Sequence, residues 1–422
     1  MARDLFSASA PAQRITALLD DGSLVRSQAH GALIAGNGTI GGREVTVIAT
    51  DRQVAGGSIG VAEAEAVSTL LEQSHRAARP FILCLDSAGA RLDEGLPALG
   101  AFRQLYRHVL DLRLAGLPLL GLIGRDCFGG ASMLAATCTR RIYCEASRLA
   151  MSGPAVIQAL GGSAELDATD TGAVTALMGG AARAHLLQSD YLCEDSFDAY
   201  RQAARDWVAD CDATVQLNLH QQHTRLGTRL LAHGMAPSPP ENASGELPAL
   251  LQEIIPRGVA VHKMDGVLIG RNGKTSPNAF FGFIDGTPVG ALAAWTLSGE
   301  CLALADERPG EPVTVFLDSP GQAPTLRDER VMLSEYVAHL ALVLSSLRQH
   351  GHRVTLQVLG DAAGGIYVAL AAPATRVVAL PGANVQVLPP AATVLVLRRH
   401  SEPGGIEDYI RAGVEHCAGK SC

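Results

Sequence analysis

The feature that most constrains the fold of this 422-residue chain is an internal repeat. The segment PFILCLDSAGARLDEG has a counterpart in VTVFLDSPGQAPTLRD, so an apolar run ends in an Asp-Ser pair that begins at Asp86 in one half and at Asp318 in the other. A helical pattern, a second apolar run and two consecutive glycines follow each pair. Gly129 follows Asp86 by 43 residues and Gly364 follows Asp318 by 46. Such matched spacing indicates a duplicated structural unit.

The repeated unit alternates apolar strands with helices, which predicts βαβ crossovers and helix-covered sheets. We therefore expect an α/β fold with two tandem domains, at residues 1–235 and 251–422. The stretch HGMAPSPPENASGELP is rich in proline and turn residues and has no apolar periodicity, so we assign residues 236–250 as a linker. The helical pattern of residues 197–232 is assigned to the end of the first domain.

Charge and composition exclude several classes of function. A formal net charge of -8 argues against a nucleic-acid partner. The chain has no apolar run of signal-peptide type at its start and no stretch of about eighteen uninterrupted apolar residues, so we expect a cytoplasmic protein without a membrane segment. The nine cysteines lie in apolar surroundings and form no CxxC pair, which favours reduced core thiols and no bound metal.

The paired glycines have a structural and a chemical interpretation. Two glycines between a strand and a helix allow tight helix-sheet packing. They also let a substrate oxygen approach the free N–H groups at the start of the helix, which favour negative charge and can form an oxyanion hole. Because Gly129-Gly130 and Gly364-Gly365 occupy matched positions in the repeat, we favour the chemical interpretation.

Three segments of the first half, LCLDSAGARLDEG, GRDCFGGASMLAA and SRLAMSGPAVIQALGGSAELDATD, resemble the beta subunit of biotin-independent malonate decarboxylase. That family belongs to the carboxyltransferase branch of the crotonase superfamily. In the second half, FLDSPGQAPTLRDERVMLSEYVAHLALVLSSLRQHGHRV and GDAAGGIYVALAAPATRVVALPGANVQVLPPAA resemble its gamma subunit. The resemblance implies a fused beta and gamma chain with two crotonase-like domains.

The resemblance further implies a malonyl thioester substrate, carried on the phosphopantetheine arm of an acyl-carrier protein or on coenzyme A. Its decarboxylation to the acetyl thioester passes through an enolate and requires neither biotin nor metal. The backbone donors expected to hold the thioester oxygen are those of Ala88, Gly89, Gly129 and Gly130. We expect Gly364 and Gly365 to orient the departing carboxylate, and a side chain at Gly130 to crowd the oxygen.

Side-chain roles stay open at this point. Ser87, Arg91, Phe128, Ser132 and Tyr367 are the candidates for substrate contact. Arg91 could bind a phosphate or carboxylate, or it could pair with Asp93 or Glu94. The proton donor could be Tyr367, Ser132, Cys127 or water, although each of these side chains could equally serve packing. Pro320 stands in the second turn where the first has Ala88 and offers no N–H, which predicts two unequal oxyanion holes.

Two alternative functions share features of this sequence. A biotin-dependent carboxyltransferase component shares the paired glycines, but the Lys-Met pair in VHKMDG lacks the surroundings of a biotin carrier. A non-catalytic scaffold that binds an acyl carrier is less favoured, because both glycine pairs are intact. The resemblance implies a homodimer in which the first half of one copy meets the second half of the other. The fused arrangement fits a dedicated enzyme, for example one that supplies acetyl starter units.

Overall fold

The computed structural model describes residues 5–211, 216–243, 247–271, 278–389, 392–394 and 406–417. The chain folds into two compact units. The first comprises Met1–Leu217 with Pro324–Glu335, and the second comprises Asn218–Ala323 with Tyr336–Cys422. Residues 244–246 of the predicted linker lie outside the described residues.

The first unit is built on one sheet. Its strands, among the described residues, are β1 (Arg26–His30), β2 (Leu33–Ile40), β3 (Arg43–Thr50), β4 (Phe81–Ser87), β5 (Leu119–Phe128), β6 (Arg140–Tyr143), β7 (Leu149–Ala150) and β8 (Tyr191–Leu192). Their order is β1-β2-β3-β4-β5-β6-β8, and β7 pairs with β5. Strands β1 to β3 are antiparallel, whereas β3, β4, β5, β6 and β8 pair in parallel. The apolar run of β4 is buried throughout, as an inner parallel strand requires.

The helices of the first unit connect the parallel strands or flank the sheet. They are α1 (Pro11–Leu18), α2 (Val61–Arg76), α3 (Leu96–Leu114), α4 (Gly130–Thr137), α5 (Pro154–Gly161), α6 (Thr171–Met178), α7 (Gly180–Ala184) and α8 (Phe197–Asp210). Short 3₁₀ turns occupy Phe6–Ala8, Ala55–Gly57 and Leu92–Glu94. The Ser196 side chain caps α8 by accepting the Ala199 N–H. Helices α1 and α8 cover one face of the sheet, where Phe6 stacks on Tyr200 with the ring centroids 4.0 Å apart.

The second unit repeats this plan. Its described strands are β9 (Glu241–Asn242), β10 (Ala260–Met264), β11 (Val267–Arg271), β12 (Ala279–Phe283), β13 (Val313–Ser319), β14 (Val354–Ala363), β15 (Arg376–Ala379), β16 (Asn384–Gln386) and β17 (His416–Cys417). They run in the order β17-β15-β14-β13-β12-β11-β10-β9, with β16 paired to β14. The helices that follow α8 are α9 (Leu219–Ala232), α10 (Ala249–Ile254), α11 (Ala291–Glu307), α12 (Leu326–Arg330), α13 (Leu333–Gln349), α14 (Gly364–Ala371) and α15 (Ile406–Arg411). Of these, α12 belongs to the first unit.

The eight strands of the first sheet each have a counterpart in the second, which has β9 as an additional edge strand. Strands β10 to β13 correspond to β1 to β4, β14 to β5, and β15, β16 and β17 to β6, β7 and β8. Gly129 follows β5 and precedes α4, while Gly364 follows β14 and opens α14. Their φ angles are +56° and +57°, a left-handed conformation that glycine adopts most readily. The duplicated unit predicted from the spacing is therefore confirmed, and the fold is α/β with two tandem crotonase-like halves.

One helical segment differs from the sequence pattern, whereas the cysteines agree with it. The helical pattern of residues 197–232 forms two helices, α8 and α9, of which α9 lies in the second unit. Seven cysteines are free and buried, at positions Cys84, Cys127, Cys138, Cys144, Cys193, Cys211 and Cys301, as their apolar surroundings predicted. Among the described helices, none has both the length and the apolar character needed to cross a membrane.

Three helices of the second unit enclose a pair of histidines. His223 of α9 stacks on Trp295 of α11 with ring centroids 4.6 Å apart, and the Trp295 Nε1–H donates to the His223 carbonyl at 3.0 Å. The His223 Nδ1 lies 3.3 Å from Nε2 of His339 on α13, and His220 on α9 acts on it electrostatically. Burial, together with the smaller effect of His220, lowers the pKa of His223 to about 4.

We expect this histidine to make the fold less stable in acid. Between pH 6.5 and 4 the unfolded chain binds a proton at His223 that the folded chain does not, so the free energy of unfolding falls as the pH falls. Urea unfolding at pH 7.5 and 5.0 should show a drop that is smaller in His223→Gln by on the order of 1 kcal/mol. His350→Gln, on an exposed ring, serves as the control. An equal pH dependence in the wild type and His223→Gln would contradict the assignment.

Candidate active site

The first turn follows strand β4 and is shaped by Ser87. Its Oγ accepts the Gly89 N–H at 3.1 Å, and Gly89 has a φ of +102°. A Cβ on Gly89 would lie 2.9 Å from the Phe128 carbonyl oxygen and 3.2 Å from the Gly130 nitrogen. Only glycine therefore allows the turn to approach the start of α4 this closely. The Asp86 carboxylate supports the approach by accepting the Asp126 N–H at 3.1 Å.

The first glycine pair ends β5 and begins α4. The Gly129 N–H donates to the Met151 carbonyl at 3.2 Å, just beyond β7. A Cβ on Gly130 would lie 2.6 Å from Cζ of Phe102, a buried ring of α3. The expectation that a side chain at residue 130 would crowd a bound oxygen is therefore wrong, because that side chain would point into the core.

Most of the backbone donors around the first pair are already used. The Ala88 N–H donates to the Gly56 carbonyl at 3.0 Å, and the Gly89 and Gly129 N–H groups are bonded as described. In the described part of the chain, the N–H groups of Ala90 and Gly130 donate to no acceptor. Ala90 pairs in parallel with Ile59, whose bonds run to the Gly89 carbonyl and from the Arg91 N–H. The Ala90 N–H therefore points away from Ile59.

Ala90 is a candidate donor that the sequence analysis missed. The sequence signal was the run of small residues in SAGAR. The Ser87 hydroxyl accepts a hydrogen bond from the Gly89 N–H, and the next N–H, that of Ala90, then points outward. The second free donor, at Gly130, was predicted. The Gly130 nitrogen lies beside Gly89, and Ala90 is the next residue of the turn, so both free N–H groups belong to the segments that meet at Gly89. Free backbone donors of this kind are the groups from which an oxyanion hole is built.

The side chains considered as proton donors are engaged within the fold. The Ser132 hydroxyl is buried, donates to the Gly129 carbonyl at 2.7 Å and lies 2.7 Å from the Ser334 Oγ. The buried Tyr367 hydroxyl donates to the Ala412 carbonyl at 2.9 Å. Burial raises the pKa of the Cys127 thiol well above its usual range. All three side chains therefore have a structural role. Of the proton donors named in the sequence analysis, water is the one that remains.

Arg91 and Phe128 border the first pair without reaching into it. The Arg91 guanidinium donates to the Ser58 carbonyl at 2.8 Å and to Glu94 at 3.0 Å, and it pairs with Glu63. Of the two roles expected for Arg91, the structure therefore shows pairing with a nearby carboxylate, that of Glu94. The half-buried Phe128 ring lies beneath the Arg148 guanidinium, 5.9 Å from the ring centroid.

The second turn and glycine pair have the same local geometry. The Ser319 Oγ accepts the Gly321 N–H at 3.2 Å, Gly321 has a φ of +121°, and Asp318 accepts the Asp361 N–H at 3.0 Å. Gln322 pairs in parallel with Val289, as Ala90 pairs with Ile59. Its N–H has no acceptor among the described residues.

The inequality expected from Pro320 is not found in the donors of the two turns. The corresponding N–H in the first turn, that of Ala88, donates to Gly56 and is unavailable to a ligand. Proline at this position therefore removes no donor from the second turn. Gly365 lies in the first turn of α14, where N–H groups have no acceptor within the helix.

A buried ion pair supports the first glycine pair from a distant part of the sequence. Glu329 of α12 accepts the Ser152 N–H through Oε1 at 2.7 Å. The preceding residue, Met151, accepts the Gly129 N–H through its carbonyl oxygen. Arg183 donates to the Glu329 carbonyl at 2.7 Å and to the Leu149 carbonyl at 2.8 Å. Burial raises the pKa of Glu329 to about 7. These contacts hold β7 and the residues after it against the end of β5.

The described residues contain no cluster of three or more His, Cys, Asp or Glu side chains suited to hold a metal ion. Lys263, which follows His262 in VHKMDG, lies in strand β10 and pairs with Asp285 at 2.8 Å.

Comparison with known proteins defines the class. Residues 13–224, half of the chain, match the model of the carboxyl transferase domain. The chain therefore belongs to the carboxyl transferase domain family, whose members act on carboxyl groups. Residues 284–402 match the model of the malonate decarboxylase gamma subunit. One polypeptide thus joins a carboxyl transferase domain to a gamma-type domain, which confirms the fused arrangement expected from the sequence.

The individual relatives share limited sequence identity with this chain. The chain is 27% identical over 356 residues to the biotin-dependent acetyl-/propionyl-coenzyme A carboxylase beta5 subunit of Mycobacterium tuberculosis, covering 74% of this chain and 61% of the relative. It is 30% identical over 187 residues to the malonyl-S-ACP:biotin-protein carboxyltransferase of Malonomonas rubra, covering 40% and 58%. The chain thus covers less than two thirds of either relative. A Pseudomonas malonate decarboxylase hetero-tetramer solved with malonate is 26% identical with a TM-score of 0.47, covering 49% of this chain and 84% of that chain.

Proposed function

We propose that this protein decarboxylates a malonyl thioester, carried on an acyl-carrier protein or on coenzyme A, to the acetyl thioester and CO2 without biotin. The observation that carries the proposal is the pair of free N–H groups at Ala90 and Gly130 beside a glycine-lined approach. The match of residues 284–402 to a malonate decarboxylase gamma subunit supports the same substrate class.

The proposed reaction needs little from side chains. The bond between the carboxylate carbon and the α-carbon breaks, CO2 leaves, and the electron pair moves onto the α-carbon and the thioester oxygen. The Ala90 and Gly130 N–H groups stabilise the resulting enolate oxygen more than the neutral carbonyl, which lowers the barrier. The α-carbon then takes a proton from water to give the acetyl group.

Carboxyl transfer to biotin is the second candidate. The identities with the Mycobacterium and Malonomonas relatives favour it, since both are named as biotin-linked enzymes. In that reaction the CO2 unit would be captured by a biotinylated carrier rather than released. Both reactions use the same enolate, so the fate of the carboxyl group distinguishes them.

We expect malonyl-coenzyme A or malonyl-carrier protein to lose CO2 when incubated with the purified chain alone, and mass spectrometry of each thioester measures the loss. Avidin and EDTA should leave the rate unchanged, because an enolate held by backbone donors needs neither biotin nor metal. Activity that disappears with avidin and returns with a biotinylated carrier would establish carboxyl transfer instead.

The active assembly in this proposal is a homodimer, in which the first half of one copy works with the second half of its partner. The resemblance to carboxyltransferase-branch enzymes supports this arrangement. A fused chain that makes acetyl thioester without a separate biotin carrier would suit the supply of acetyl starter units, which is the role we propose.

A further inference from the structure

Gln322 is the residue at which the two turns differ most in chemistry. It holds the position in the second turn that Ala90 holds in the first. Ala90 pairs in parallel with Ile59, and Gln322 pairs in parallel with Val289. The side chain is half-buried. Its Oε1 lies 3.3 Å from the point where a Cβ on Gly364 would stand, so the amide lies directly beside the second glycine pair.

The amide of Gln322 is available for a ligand. Two neighbouring amides are occupied, because Asn384 and Gln386 both donate to the Asp361 carboxylate, at 2.8 and 3.1 Å. Among the described residues, the Gln322 side chain makes no hydrogen bond with the protein. A 180° rotation of its last torsion exchanges the oxygen and nitrogen, so that the NH2 group can face Gly364.

The surroundings of this amide are suited to a carboxylate that must leave as neutral CO2. The Leu388 Cδ2 lies 3.8 Å from the same point beside Gly364 and adds an apolar wall, while the Val387 carbonyl oxygen lies 3.4 Å from that point. A neutral amide can orient a carboxylate by hydrogen bonding, whereas a guanidinium would stabilise its charge in the ground state and oppose its loss. The backbone N–H of Gln322 is a second neutral donor within the same residue.

We propose that Gln322 binds the free carboxylate of the malonyl group and so determines specificity for a malonyl over a simple acyl thioester. This inference rests on the proposed function for its choice of substrate. It assigns to Gln322 the discrimination that the Ala90 and Gly130 donors cannot supply, because every thioester presents these two N–H groups with the same carbonyl oxygen.

The experiment measures binding separately from turnover. Sulfoacetyl-coenzyme A carries a sulfonate in place of the malonyl carboxylate and cannot lose CO2. Calorimetry gives its Kd and that of acetyl-coenzyme A for the wild type, Gln322→Ala, Gln322→Glu and Gln322→Asn. We expect the wild type to prefer the sulfonate, and Gln322→Ala to weaken its binding on the order of 10-fold with acetyl-coenzyme A unchanged. Gln322→Glu should weaken it further through charge repulsion, and Gln322→Asn should retain part of the preference.

The control is Gln349→Glu, the same charge change at an exposed position of the second unit, which should leave both Kd values unchanged. Equal binding of the two thioesters by the wild type, or an undiminished preference in folded Gln322→Ala and Gln322→Glu, would overturn the inference. Wild-type turnover of malonyl-coenzyme A is measured in parallel. A preference that depends on Gln322 in a protein without decarboxylase activity would refute the proposed function and leave the anion site standing.

Discussion

Gly89→Ala is expected to lower the turnover of a malonyl thioester on the order of 100 to 1,000-fold, the usual effect of losing one oxyanion donor. The added Cβ would lie 3.2 Å from the Gly130 nitrogen, so we expect it to crowd an oxygen bound to that N–H. The loss should appear in kcat more than in KM, because the donor acts mainly on the charge that develops in the transition state. Steady-state kinetics with malonyl-coenzyme A measures both constants.

Gly162→Ala is the matched control for this substitution. Gly162 has a φ of +84°, close to the +102° of Gly89, so alanine introduces a similar backbone strain in the same unit. A Cβ on Gly162 would meet nothing within 4 Å. Gly162→Ala reproduces the backbone strain but not the contact with the Phe128 carbonyl oxygen, so thermal unfolding should show a larger loss of stability for Gly89→Ala. Turnover is therefore compared at a temperature where both variants are folded, and only Gly89→Ala should lose it. Wild-type kcat in a folded Gly89→Ala enzyme would remove the Gly130 N–H from the mechanism.

Gly130→Val is a poorer test of the same donor. Its side chain would collide with the Phe102 ring, so a loss of activity would follow from disturbed packing even if the N–H were unimportant. Gly130→Ala combined with Phe102→Leu relieves that collision and keeps the N–H. This double variant should retain more activity than Gly89→Ala.

Mixing two inactive variants is expected to restore activity if the active assembly is the proposed homodimer. The first variant is Gly89→Ala, whose Cβ crowds the Gly130 N–H. The second is Gly321→Ala, at the corresponding position of the second turn, beside the Ala363 carbonyl. When each site takes its first half from one copy and its second half from the partner, every mixed dimer contains one site free of both substitutions. Random exchange should then recover about one quarter of the wild-type sites.

Exchange must be demonstrated independently, for example by native mass spectrometry of chains with different isotope labels. The pair Gly130→Val and Gly365→Val should give the same rescue if both variants fold. A mixture that remains inactive although labelled mixed dimers are present would show that each site is built within a single chain. The homodimer would then have no role in completing the site.

The sequence predicted the fold and the positions of the two glycine pairs between strand and helix, because both depend on local patterns. The alternation of buried strands and helices, repeated with nearly equal spacing, determines two copies of one α/β unit. Gly129 and Gly364 were recognisable because a left-handed residue between a strand and a helix favours glycine whatever surrounds it. The resemblance to the carboxyltransferase branch rested on segments that include the same turns.

Only the tertiary structure decided which groups around those glycines are available to a substrate. The Ala88 and Gly129 N–H groups are removed by the carbonyls of Gly56 and Met151, which are distant in sequence, and Ala90 is left free. Glu329 reaches Ser152 across 177 residues, so no local pattern could have placed it beside the first pair. A backbone group keeps or loses its hydrogen-bonding capacity according to the atoms packed against it, and those contacts exist only once the chain has folded.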